Sequence, residues 1–268
     1  MKYTVKNLLI LSVFVSIVYQ ACKKENTSAD KKTDSKIAAQ IAINLYKSLS
    51  GSNGGANIQN GLNAYSNINK KNSKLAVNSF YVGECGLMMD TTVSFDWSRG
   101  DSITTLTDKI KFTSLCKTAS LLRGYTFDDS TTIIGKTPTF GFTRVATQHF
   151  AVYGIDLAYT QFSLNGKSSF KTSDYPLNGS KTVKYNSFST NYILKGVKFN
   201  TGTDPKVISP NIYEGTADFS GEHVYDGGSP SYNTDKYTGT VEFLGNWKVK
   251  ITYNGTAYTV DLNTGIVI

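Results

Sequence analysis

A mainly β protein, built on an antiparallel sheet with one or two N-terminal helices packed on it, is the fold class that three observations predict. Tyr, Phe and Gly are abundant (17, 14 and 23 residues) and Ser, Thr and Asn recur throughout, which is the composition of strands and tight turns. From about Leu75 the apolar period changes from near four to two. The third is the hairpin Trp247–Leu262, WKVKITYNGTAYTVDL, where Asn254-Gly255 is a two-residue type I′ turn signal. Folding there sets Tyr253 opposite Thr256, Ile251 opposite Tyr258, Val249 opposite Val260 and Trp247 opposite Leu262, on one nearly apolar face. The other face places Lys248 opposite Asp261 as a cross-strand ion pair. Sandwich, open barrel and elongated sheet all fit this pattern.

The chain begins with a positive region, Lys2 and Lys6, followed by the apolar run Leu8–Val18 (LLILSVFVSIV), which has the length of a signal-peptide core. Tyr19-Gln20-Ala21-Cys22 then leads into Lys23-Lys24-Glu25. A small residue before a cysteine that closes such a core resembles the cleavage box of bacterial lipoproteins, and its loose form, with Tyr19 and Gln20 in place of the usual Leu and small residue, resembles that of Bacteroidota outer-membrane lipoproteins. The resemblance implies removal of residues 1–21, lipidation of Cys22 and anchoring in the outer membrane, on the periplasmic or the cell-surface side. It carries an address and no activity. The alternatives are a conventional secretory cleavage with an ordinary Cys22, and a retained membrane helix. Residues 22–34 (CKKENTSADKKTD) have almost nothing to bury and read as a flexible spacer before a β-rich domain over 35–268.

Within that domain, Asp34 or Ser35 caps a helix starting at Lys36, in which Ile37, Ile41, Leu45 and Leu49 recur every four residues until Gly51. Ile58, Leu62 and Tyr65 suggest a second, shorter helix to about Ile68, ending a helical segment 35–68. Strands follow. Thr92–Trp97 puts Val93, Phe95 and Trp97 on one face, and Ser98–Asp101 turns the chain. Leu121–Phe127 is broken by Asp128-Asp129-Ser130 before Thr131–Ile134. Thr139–Thr143 and Gln148–Tyr153 flank a less regular middle. Asn165-Gly166 reads as a second hairpin turn between Leu157–Leu164 and Ser168–Thr172. Gly196 marks a bulge in Tyr192–Phe199, and a break near 200–212 is a possible division between sheet units. Thr216–Tyr225 and Tyr237–Phe243 are strands around an exposed loop, 226–234, and Ile266 and Ile268 end the chain inside a sheet.

The net charge of +8 comes almost wholly from Lys, and no Lys/Arg cluster sits on a nucleic-acid motif, so nucleic acid is not a partner. Beyond Cys22, Cys85 and Cys116 form one disulfide in an oxidising compartment, or stay as two buried thiols. Only two histidines exist, His149 and His223, and no HExxH, GxSxG or phosphate-loop pattern appears, so no catalytic residue is nominated. Glu214, Asp218, Glu222, His223 and Asp226 are the densest polar group. Glu214 and Glu222 would serve a glycosidase only if the fold brought them together. Asp218, Glu222 and Asp226 are candidate Ca²⁺ ligands, with Asp128 and Asp129 a weaker pair; no other cofactor is implied. Tyr225, Tyr232 and Tyr237 are candidates for a stacking platform toward a glycan or a protein partner. The leading reading is a non-catalytic envelope lipoprotein that binds glycan or protein. The alternatives are a carbohydrate-active enzyme using carboxylates near 214–226, and a structural or assembly protein.

Overall fold

Strict two-residue alternation over long stretches yields ten strands joined mostly by short turns, and each strand pairs antiparallel with the next. In the computed structural model they are β1 (Met88–Arg99), β2 (Ser102–Thr118), β3 (Leu121–Lys136), β4 (Phe140–Gly154), β5 (Gln161–Pro176), β6 (Asn186–Asn200), β7 (Asn211–Asp226), β8 (Tyr232–Gly245), β9 (Lys248–Tyr253) and β10 (Thr256–Asp261). They form one sheet in sequence order, open at β1 and β10, with the helix α1 (Ser28–Leu49) on one face. The structure describes residues 28–52, 57–58, 85–118, 121–156, 160–177, 184–201, 211–226 and 232–268. The chain divides into two compact units, Met1–Ile37 and Ala38–Ile268; the described part of the first is the opening of α1, and the second holds the rest of α1 and every strand. Cys22 and the second helix expected to end near Ile68 lie outside the described residues, Asn57 and Ile58 excepted.

α1 starts eight residues before Lys36, so Asp34 and Ser35 sit within it and do not cap it. Its end is as expected: Gly51 takes a left-handed conformation (φ 66°), and the Ser52 amide donates to the Lys47 carbonyl at 3.1 Å, which closes the last turn. Ala38, Ile41, Ala42, Leu45 and Leu49 are fully buried. The sheet ties this segment down with polar contacts as well. The Tyr192 hydroxyl donates to the Ile41 carbonyl at 2.8 Å, Gln148 Nε2 donates to the Ser48 carbonyl, and the Ser48 and Ser168 hydroxyls bond to each other. At the turn between β8 and β9, Trp247 packs edge-on against Tyr46, with ring centres 5.6 Å apart.

The C-terminal hairpin has the register expected of it, with Asn254 and Gly255 at φ 49° and 73°. Lys248 does face Asp261, but the Asp261 carboxylate instead accepts from the Asn263 and Thr264 amides at 3.1 and 2.8 Å and fixes the following turn. Lys250 pairs with Glu242 on β8 at 3.3 Å. The chain ends as an isolated bridge, Val267 against Val260.

Several expected breaks are absent. β3 runs straight through Asp128-Asp129-Ser130, and β4 through the middle read as irregular. Asn165-Gly166 is not a turn but a bulge inside β5, where a Cβ at Gly166 would stand 2.1 Å from the His149 carbonyl oxygen. Asn165 Oδ1 accepts from the Gly196 amide at 2.8 Å, so this irregularity adjoins the bulge expected at Gly196 (φ 56°). β6 and β7 pair from Asn186 to Asn200, so the sheet is not divided there. Cys85 and Cys116 are disulfide-bonded, with Cα atoms 5.5 Å apart, and tie the approach to β1 to the end of β2.

Candidate functional site

Because neighbouring strands keep direct register away from these bulges, side chains on the helix-bearing face line up in rows across the sheet. One row passes through Ile110, Asp129, Gln148, Ser168, Tyr192 and Phe219, and it lies under α1. The next, two residues along each strand, passes through Asp108, Thr131, Ala146, Phe170, Thr190 and Tyr237; these are also buried. Beyond it burial fades. The third row carries Phe95, Leu106, Ile133, Arg144, Phe188 and His223, and all but Phe188 are partly exposed. The fourth carries Trp97, Thr104, Phe142, Asp174, Asn186 and Tyr225, with Trp97 44% exposed. These last two rows are the open part of the face and the candidate site.

Their chemistry is aromatic surface interleaved with fixed polar groups. Arg144 pairs with Asp174 at 2.7 Å, donates to the Thr143 and Ser173 carbonyls at 3.1 and 3.2 Å, and lies over the Phe142 ring at 5.2 Å. His223 stacks on Tyr225 with ring centres 4.7 Å apart, and its Nε2 meets Asn186 Oδ1 at 2.7 Å. Burial holds the His223 pKa below its ordinary value, against the pull of Asp235, so a neutral ring donating from Nε2 fits that contact.

The candidates named from sequence fall around this surface and do not form one site. On β7 strand alternation turns Asp218, Glu222 and Asp226 to the opposite face from His223 and Tyr225. Asp218 is paired with Lys195, and Glu222 stands opposite Ser189 and Lys236. Four-residue steps along a strand are about 13 Å each, too far for one ion to be shared between them. Among the described residues no group of three or more His, Cys, Asp or Glu is arranged to hold a metal. Glu214 is paired with Lys198 at 2.7 Å, and its eight-residue separation from Glu222 is roughly 26 Å along the strand, well beyond the reach of a glycosidase pair. His149 meets Asp128 on the opposite, exposed face.

The three tyrosines also separate. Tyr225 is part of the fourth row. Tyr232 is 60% exposed but lies on the opposite face, tilted against Tyr185 at 4.6 Å. Tyr237 belongs to the core: it is 2% exposed, and its hydroxyl bonds Thr190 at 2.9 Å and the Ser189 carbonyl. Burial raises its pKa far above the ordinary phenol value. Phe142, Arg144 and Phe188 carried no local signal in the sequence. Phe95 and Trp97 did, as one face of a strand, but only the order and register of the seven strands β1 to β7 show what they stand beside.

Comparison with family models, with curated proteins and with solved structures finds no match for this chain. Among the described residues no helix is long and apolar enough to cross a membrane.

Proposed function

We propose that this chain is a non-catalytic lipoprotein of the bacterial outer membrane, anchored through Cys22, that binds glycan on the open part of its helix-bearing face. The observation that carries the binding reading is the pair of cross-strand rows in which Phe95, Trp97, Phe142 and Tyr225 alternate with Thr104, Asn186 and the Arg144–Asp174 pair. Aromatic faces stack on the C–H faces of sugars, and amides, carboxylates and guanidinium meet hydroxyls. Seven strands, β1 to β7, at the usual spacing make each row roughly 29 Å long, which suits an oligosaccharide chain. The anchor rests on the apolar run Leu8–Val18 and the Ala21-Cys22 junction.

The test is a glycan array probed with the purified full chain in detergent. Binding that falls at least about tenfold in Trp97→Ala and Phe142→Ala, the scale of losing one well-buried aromatic contact, and survives Tyr232→Ala on the other face, supports the site. No glycan bound, or equal loss from both faces, removes it. Incorporation of labelled palmitate, abolished by Cys22→Ser together with membrane retention, tests the anchor separately.

A second reading, an assembly role, draws on β1. Among the described residues this strand pairs only with β2, leaving a twelve-residue edge where another strand could add. It expects concentration-dependent association in analytical ultracentrifugation.

A further inference from the structure

The open rows differ from the rest of the molecule in charge and in the spacing of their rings. The chain carries +8, and Lys109, Lys111, Lys167 and Lys171 alternate onto the face opposite α1. Across β1 to β7 the third and fourth rows contain no lysine, and their charged residues, Arg144 and Asp174, are paired with each other. His223, its pKa held down by burial, is neutral at neutral pH. β8 adds Asp235 beside it, and Arg99 and Lys184 lie beyond the fourth row, at its rim. The rings are set by the strands. Phe142 stands directly opposite Gly135 on β3, and its Cε and Cζ atoms occupy the place that a Cβ on that residue would take. The ring therefore lies across β3, with the Arg144 guanidinium carbon 5.2 Å from its centre. Trp97 heads the same row on β1, and Tyr225 closes it on β7. From Trp97 to the seat of Phe142 is two strand spacings, about 10 Å, and from there to Tyr225 is four, about 19 Å. Asp174 and Asn186 fill the interval.

We propose that this face binds an uncharged, extended β-1,4-linked glycan laid along the fourth row, with Gly135 as the residue that positions Phe142 for it. The proposal rests on the glycan reading above and narrows it to one class. In an extended β-1,4-linked chain each pyranose is turned over relative to the one before, so the same sugar face returns at every second residue. One sugar advances by close to one strand spacing. A repeat of two sugars therefore matches the step from Trp97 to Phe142, and two repeats match the step on to Tyr225. An α-1,4-linked chain winds into a helix and does not follow such a row. A polymer of uronic acids brings one carboxylate per sugar to a surface whose guanidinium is already neutralised by Asp174, with no other cation at the register positions of the two rows. The hydroxyls along the edges of an uncharged ribbon meet Thr104, Asn186 and the Arg144–Asp174 pair, which offer donors and acceptors with no net charge.

The experiment is calorimetric titration of the purified full chain, in a sugar-free detergent, with cellohexaose, maltohexaose and the hexamer of β-1,4-linked mannuronic acid, with thermal unfolding alongside. Cellohexaose binds at least about tenfold tighter than either of the others, the scale of one aromatic contact, and added salt leaves its affinity unchanged. Affinity rises from cellobiose to cellotriose, the first length to span Trp97 and Phe142, and Phe142→Ala removes that rise. Gly135→Ala removes it too, although Phe142 is still present. The Gly135 backbone lies outside the left-handed region, so the added methyl acts by displacing the ring. In a Phe142→Ala background, where the methyl has room, Gly135→Ala has no further effect on binding. That double variant also guards against a single one that fails to fold. Maltohexaose or the mannuronate hexamer binding as tightly as cellohexaose, with the loss in Trp97→Ala retained, overturns the ligand class and leaves the glycan reading standing. A cellotriose step that survives Gly135→Ala overturns the positioning role. No binding of any of the three sugars by the wild type overturns the proposal, and the glycan reading falls with it only if the array is also blank.

Discussion

Asp129 is the residue at which the chain's chemistry departs most from its sequence. An Asp in the middle of an apparent Asp-Asp-Ser break ordinarily faces water. Here alternation turns Asp128 outward to His149 and Asp129 inward beside Asp108. The consequence for stability has a definite sign. The carboxyl titrates near 3.8 in an unfolded chain and at about 8 in the folded one. Between those values the folded state holds a proton that the unfolded state has released, so stability is full below the lower value and falls as pH rises toward the upper. The slope is at most ~1.4 kcal/mol per pH unit. Urea unfolding followed from about pH 5 to about pH 8 is expected to show that decline, and Asp129→Asn to flatten it. A wild-type stability that rises over the same interval contradicts the assignment.

At the scale of elements, α1 is held by apolar burial and by three polar ties to β4, β5 and β6. Leu45, fully buried, is the direct probe of the first: Leu45→Ala is expected to cost about 2–5 kcal/mol in urea unfolding, with helix and sheet signals lost together. Loss of the helix signal alone at lower denaturant marks α1 as a separate unit. Elements were legible in the sequence where local chemistry and period agreed. The Asn254-Gly255 turn, its register, the four-residue stripe of α1 and the Gly196 bulge are all of this kind. The failures share a cause. Asn165-Gly166 and Asp128-Asp129-Ser130 carry turn chemistry, yet β4 pairs both positions of the first, with Gly166 paired to β6 as well, and β2 and β4 pair all of the second, so pairing overrides local preference. The open site was beyond reach for a related reason: its rows are defined only once seven strands are aligned.

Across the whole molecule, the vulnerable margin is β1, which pairs only with β2 among the described residues and is largely exposed. The Cys85–Cys116 bond closes a loop with a sequence separation of 31 residues, worth about 3–4 kcal/mol by loop entropy. Reduction is therefore expected to lower stability by that order, and hydrogen exchange should accelerate first in Met88–Arg99. Uniform acceleration over all strands instead would place the bond's effect on the whole sheet. The serial order of the strands also bears on how such a protein can change. A closed barrel locks strand count, tilt and stagger together, so adding a pair forces the rest to readjust. A meander with two ends has no such condition. A hairpin gained or lost at a turn would widen or narrow the surface by two strand spacings, about 10 Å, while every other pairing kept its partner. The span of the open rows is therefore a quantity that descent can tune in steps of one hairpin, without reinventing the fold.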